Sequence, residues 1–129
     1  MNSQDLKTHQ WNNRVIIVLS NDAQSKAYTR QIADLKQASG GCLERKLVLY
    51  QVLPSEIRLN KFGGKKSEKW NATSDLYREF MQKDDSFKVV LIGLDGSVKE
   101  ERAEPITSKE LFEIIDGMSM RQAEMRRDN

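Results

Sequence analysis

One cysteine, one histidine and two prolines are all that 129 residues hold of these types, and the scarcity excludes a good deal of chemistry. With Cys42 alone, neither an internal disulfide nor a Cys-x-x-Cys redox centre can form. With His9 alone, most zinc sites and any nucleophile relay built on a second histidine are removed. No cofactor or metal is expected. Apolar runs are short, well below the roughly 20 residues needed to cross a bilayer as a helix. Charge of one sign is scarce too: 21 basic residues stand against 19 acidic ones, a net of +2. Because the two signs interleave, the balance gives no argument for nucleic acid. Met1 to Gln10 has no hydrophobic stretch and reads as a flexible N-terminus without a signal peptide, leaving 11–129 as one domain.

What is present is a set of short apolar runs. Phe87-Lys88-Val89-Val90-Leu91-Ile92 ends at Gly93 and reads as a strand buried on both faces. Arg14-Val15-Ile16-Ile17-Val18-Leu19-Ser20 reads as a central strand, and Lys46 to Leu53 as another, closed by Pro54. Between the last two, Tyr28, Ile32, Leu35 and Ser39 recur at helical spacing. Gly40-Gly41 is expected to stop that helix by supplying a left-handed C-terminal position. Ile57-Arg58-Leu59 suggests a short edge strand. Leu76, Tyr77, Phe80 and Met81 suggest a short helix capped by Thr73 or Ser74. Asp95-Gly96 predicts a two-residue hairpin, because both types tolerate positive φ. Val98 to Arg102 follows as a charged edge strand, and its neighbours Glu100 and Glu101 point to opposite faces, a poor arrangement for acid–base work. Thr107-Ser108-Lys109-Glu110 has the form of a capping box. Leu111, Ile115, Met118, Gln122 and Met125 then repeat at four-three-four-three, which predicts one helix running through Gly117 to about Arg126.

The order β-α-β-α-β-β-α, read as two parallel crossovers, a hairpin and a closing helix, is the thioredoxin-like α/β arrangement: a central mixed sheet with helices on both faces. In active thioredoxins the nucleophilic cysteine lies where the first strand meets the first helix, whose N-terminus stabilises the thiolate. That junction here is Ser20-Asn21-Asp22-Ala23-Gln24-Ser25, without cysteine. The cis-proline expected before the third strand is replaced by Asp85-Ser86-Phe87. Dithiol exchange and peroxidase chemistry both lose their landmarks. Cys42 follows Gly40-Gly41 and reads as a small buried residue, with a redox sensor as the other reading.

Three surfaces remain as candidates. Asn21, Asp22 and Ser25 surround a helix N-terminus, where free amides hold a polar ligand or the side chains simply cap. Lys61, Lys65, Lys66 and Lys69 with Phe62 and Trp70 form either a basic-aromatic patch or a solvated loop with Trp70 turned inward. Met118, Met120, Arg121 and Met125, with Trp11 and Arg14 buttressing them, make the third. Flexible apolar side chains among exposed arginines suit a partner-binding surface, and the other reading is a packed terminal helix.

Leu91-Ile92-Gly93-Leu94-Asp95-Gly96-Ser97-Val98-Lys99, Leu111 to Met125, and Trp11-Asn12-Asn13-Arg14 together resemble the DUDES domain, from Trp11 to Met125. This is a bacterial family that also occurs as modules of vertebrate extracellular-matrix proteins, including the sushi-repeat-containing proteins. The chain departs from the pattern at Leu94, where Lys is common, and at Ser119, where Pro or a polar residue is expected. The resemblance implies a thioredoxin-like domain, bacterial and periplasmic or secreted, with no catalytic residues to carry over. It implies a binding or adhesion module with a protein or glycan partner. The alternative is a thioredoxin- or peroxiredoxin-like oxidoreductase, or an enzyme using a non-thiol site at Asn21, Asp22 and Ser25.

Overall fold

The β-branched run Arg14–Ser20 (β1) is buried at every position, and the rest of the chain is arranged on its two sides. The computed structural model describes residues 6–63, 68–72 and 75–128. After β1 come helix α1 (Lys26–Gln37), the short helix α2 (Ser39–Glu44), β2 (Leu47–Val52), β3 (Glu56–Lys61) and the two-residue β4 (Asn71–Ala72). Helix α3 (Asp75–Phe80), β5 (Phe87–Ile92), β6 (Val98–Arg102), α4 (Ser108–Asp116) and α5 (Ser119–Asp128) complete the order. Among the described residues the strands form one sheet, β4-β3-β2-β1-β5-β6.

Period two divides the strands between two cores. Ile16 and Val18 join Leu47, Leu49, Val89 and Leu91 beneath Tyr28, Ile32 and Leu35 of α1, Cys42 of α2, and Leu111 and Ile115 of α4. Val15, Ile17 and Leu19 join Val48, Tyr50, Val90 and Ile92 under Leu76 of α3, with Leu6 packed alongside. Helices therefore cover both faces of a mixed sheet, as the order of elements predicts.

The connections differ from that reading in four places. Only β1 and β2 are parallel; β5 runs antiparallel to β1, with Ser20 opposite Phe87 and Val15 opposite Ile92. The reason is length. The six residues of α3 rise about 9 Å, too little to carry the chain back along a strand of about 20 Å, so β5 enters from the end where β1 leaves. Second, β3 is no edge strand: β4 pairs outside it, Ile57 with Asn71. Third, Gly40-Gly41 does not end α1, which stops at Ala38, but lies inside α2. Gly41 is needed for close approach, since a Cβ there would sit 2.6 Å from Phe112 Cε2. Fourth, the final helix breaks at Gly117 into α4 and α5.

The hairpin after β5 is wider than two residues. The Gly93 amide donates to the Ser97 carbonyl at 3.0 Å, and Gly96 takes φ +84° inside that loop. Residues 6–10, expected to be loose, pack against the sheet. Buried His9 hydrogen-bonds Tyr50 Oη through Nε2 at 2.8 Å, and Gln10 Nε2 donates to the Asp95 carbonyl at 2.9 Å. The helix cap expected at Thr73 or Ser74, like Lys65 and Lys66, lies outside the described residues.

Candidate functional site

Arg14 is the first residue of β1 and shares the face of Ile16 and Val18. Being 1% exposed, its guanidinium must find partners inside the protein. Nη1 donates to the Arg45 carbonyl at 2.8 Å and to Glu124 Oε1 at 3.3 Å. Nε and Nη2, equally shielded, have no hydrogen-bond partner among the described residues. Arg14 also lines a cavity of about 310 Å³ at this end of the sheet. The other walls are the loop leaving β5 (Gly93, Leu94, Asp95), Lys99 of β6, and the α4–α5 junction (Gly117, Met118, Ser119, Met120).

Local chemistry fixes each wall. The Lys99 stem lies across Gly93, where a Cβ would meet Lys99 Cε at 2.7 Å and the lysine would have to shift. The Asp95 carboxylate accepts from the Ser97 amide at 3.0 Å, the Ser97 hydroxyl at 2.8 Å and Lys99 Nζ at 3.0 Å. Those bonds, the backbone one foremost, hold its pKa down to about 2. Lys99 and Asp95 thus cancel across the cavity mouth. At the junction, Gln122 closes the first turn of α5 by donating to the Met118 carbonyl at 2.9 Å. The amides before it stand outside the helical ladder, at the positive end of the helix.

Behind Arg14 lies a cluster of charges. Arg121, 4% exposed, reaches Asp116 at 3.1 Å, Glu44 at 3.1 Å and Glu124 at 3.4 Å. Arg45 pairs with Asp116 at 2.9 Å while its guanidinium stacks 4.1 Å from the centre of the Phe112 ring. Burial pushes the Asp116 carboxyl up, but the Arg45 and Arg121 guanidiniums outweigh it and hold the group below the usual range.

Of the six residues grouped on the tail surface from sequence, the fold brings Arg14, Met118 and Met120 into one cavity wall. Trp11 stands beside it, 61% exposed at φ +71°, its amide donating to the Leu94 carbonyl. Arg121 is no exposed arginine; it is consumed by its three carboxylates. Met125 is half-buried on α5, outside the wall. Gly93, Leu94, Asp95, Lys99 and Ser119 join the site without having been selected from sequence. Asp95-Gly96 was legible as a turn, but nothing local says what that turn faces.

The first strand–helix junction lies at the opposite end of β1. Exposed Asp22 accepts from the Gln24 amide at 2.9 Å, and exposed Asn21 donates its amide to Ser86. Ser25, rather than Asn21 or Asp22, is the N-cap of α1 and accepts from Tyr28. The two aromatics of the basic-aromatic stretch pack inward: Phe62 is buried, and Trp70 sits against the core under Arg58, 4.6 Å from ring centre to guanidinium. Cys42 is fully buried, and burial pushes its thiol up to about 12. Among the described residues no three His, Cys, Asp or Glu side chains gather as a metal set, and no helix is long and apolar enough to cross a membrane.

Compared with known proteins, residues 5–124 match the model of the family described as Domain of unknown function (DUF4174). The search of curated proteins finds no match. Among solved structures, the reduced 2-Cys peroxiredoxin of Plasmodium vivax superposes with a TM-score of 0.61 at 16% identity, over 93% of this chain and 84% of that one. A likeness at that identity shows a peroxiredoxin- and thioredoxin-like fold.

Proposed function

The chain belongs to the family described as Domain of unknown function (DUF4174), and from that premise we propose that it is a binding module on a thioredoxin-like frame that has given up thiol chemistry. The carrying observation is the cavity that gathers Arg14, Met118 and Met120 from distant parts of the chain. Two supports stand beside it. The sole cysteine is sealed in the core with a thiol pushed up to about 12, so almost no nucleophilic thiolate is present at neutral pH. At the first strand–helix junction the Asp22 carboxylate is engaged in a turn and the Ser25 hydroxyl in a cap, and no observation favours a non-thiol enzyme there.

The partner in this reading is a protein or glycan, engaged around the cavity rim by Met120, 43% exposed, and Trp11. The likeness of the Leu91–Lys99 and Leu111–Met125 stretches to the DUDES domain and its matrix modules supports adhesion outside the cytoplasm, in a bacterial periplasm or medium. Met120→Glu tests the surface. The side chain is exposed on the first turn of α5, so the variant folds, yet a charge there opposes any apolar contact. Partner capture by the variant, measured by crosslinking and pull-down beside the native chain, is expected to fall at least about tenfold. Unchanged capture of every partner removes this surface from the reading.

A further inference from the structure

We propose that the Arg14 cavity is a carboxylate site, taking a monoanionic acid that carries a short apolar body. The proposal rests on the binding-module reading and names the group bound. Its first ground is the pairing of the unused donors. On an arginine, Nε–H and Nη2–H point the same way and form the side-on fork that meets both oxygens of a carboxylate. These are the two atoms of Arg14 that are buried and unpartnered, while Nη1 is already engaged by Arg45 and Glu124. Packing alone gives no reason to desolvate a charged fork and leave it empty, since unmade buried bonds are costly.

The second ground is the wall facing it. The N-terminal turn of α5, a helix of 10 residues, enters the cavity at Ser119 and Met120. Its free amides and positive dipole end add donors for an anion. Charge decides the valence. Lys99 is offset by Asp95, and Glu124, besides facing Nη1, is shared with Arg121 and Lys46. What is left over suits one negative charge; a phosphate dianion would be opposed by Asp95 and Glu124. Leu94, Met118 and Met120 form the apolar part of the wall. Because the fork is shielded, part of the wall must move to admit the ligand, and the unbranched chains of Met118 and Met120 suit such a movement.

The same chemistry is offered by a free organic acid and by the C-terminal residue of a partner chain, and the probes separate them. The native chain, labelled with nitrogen-15, is titrated with hexanoate, N-acetylleucine, N-acetylleucinamide and inorganic phosphate while the Arg14 Nε–H and the Ser119 and Met120 amides are followed by NMR. Saturable shifts at all three with the two acids, and none with the amide, are expected; phosphate is expected to bind more weakly. Tighter N-acetylleucine assigns the site to a chain terminus, and tighter hexanoate to a free acid. Arg14→Lys keeps the charge but not the fork and is expected to weaken binding at least about tenfold. Met118→Trp, which leaves the Arg14 pairs intact, is expected to abolish it by filling the cavity. Absence of saturable shifts in the native chain, or equal shifts with the amide, overturns the proposal. Partner capture that still depends on Met120 would then leave the binding-module reading standing while the carboxylate assignment fell.

Discussion

Cys42 and Arg14 set the chemistry at the scale of single residues, and both do so through burial. The Cys42 thiol packs between α1 and the sheet with Sγ 3.8 Å from the Leu35 carbonyl, and desolvation disfavours its thiolate. A disulfide-exchange reagent at neutral pH is therefore expected to leave the native chain unlabelled and to react fully once denaturant is added. Thiol-disulfide reductase and peroxidase assays of the native chain and Cys42→Ser are expected to give no turnover in either. Turnover lost only in Cys42→Ser would make that cysteine a reactive centre and overturn the reading. Sequence made half of this visible. A single cysteine following two glycines is read directly, whereas its burial beneath α1 depends on where α2 docks. Arg14 is the opposite case: an arginine opening an apolar run is ordinarily a solvated strand end, and only its partners show otherwise.

Among the elements, the cap at Thr107 was legible, whereas the caps of α1 and the break at Gly117 were not. Thr107 Oγ1 accepts from the Glu110 amide at 3.1 Å, as the Thr-x-x-Glu pattern predicts. The reciprocal half of the box is absent, because the Glu110 carboxylate turns to Arg102. Instead the Ser108 amide donates to Asp34 at 2.7 Å, tying α4 to α1. Thr107→Ala removes one acceptor from the first turn of α4 and is expected to cost about 1 kcal/mol, measured as a shift in the urea midpoint at constant slope. The break between α4 and α5 was hidden for a physical reason. The four-three-four-three stripe continues across Gly117, so periodicity passes over the interruption. The ion pairs that Arg121 and Glu124 of α5 make, with each other and with Asp116 of α4, are invisible to an apolar pattern.

For the whole molecule, three carboxylates held below their ordinary pKa make stability depend on pH. Asp95 has a folded pKa of about 2 against an ordinary 3.8; Asp116 and Asp85 are lowered too. A carboxyl depressed in the folded state contributes stability that is fully present above the ordinary value. That contribution is lost as pH falls through the folded one. The urea midpoint is therefore expected to hold steady near about pH 5 and to decline progressively toward about pH 2. Asp95→Asn should show a smaller decline over the same window. A midpoint that stays level in the native chain, or declines equally in Asp95→Asn, would show that the Ser97 and Lys99 bonds contribute nothing in solution.

By itself the sequence determined the inner strands, the cap at Thr107, a reversal of the chain between β5 and β6 and the absence of a dithiol. All of these are set by residue type and short-range spacing, which act over one or two turns of chain. Tertiary structure decided the direction of β5, which follows from the shortness of α3, and the fate of the two arginines. It decided the cavity as well, since Arg14 meets Glu124 across 110 residues and Arg45 across 31. A buried cation is stable only where distant groups arrive to pair with it, and local periodicity carries no record of that arrival.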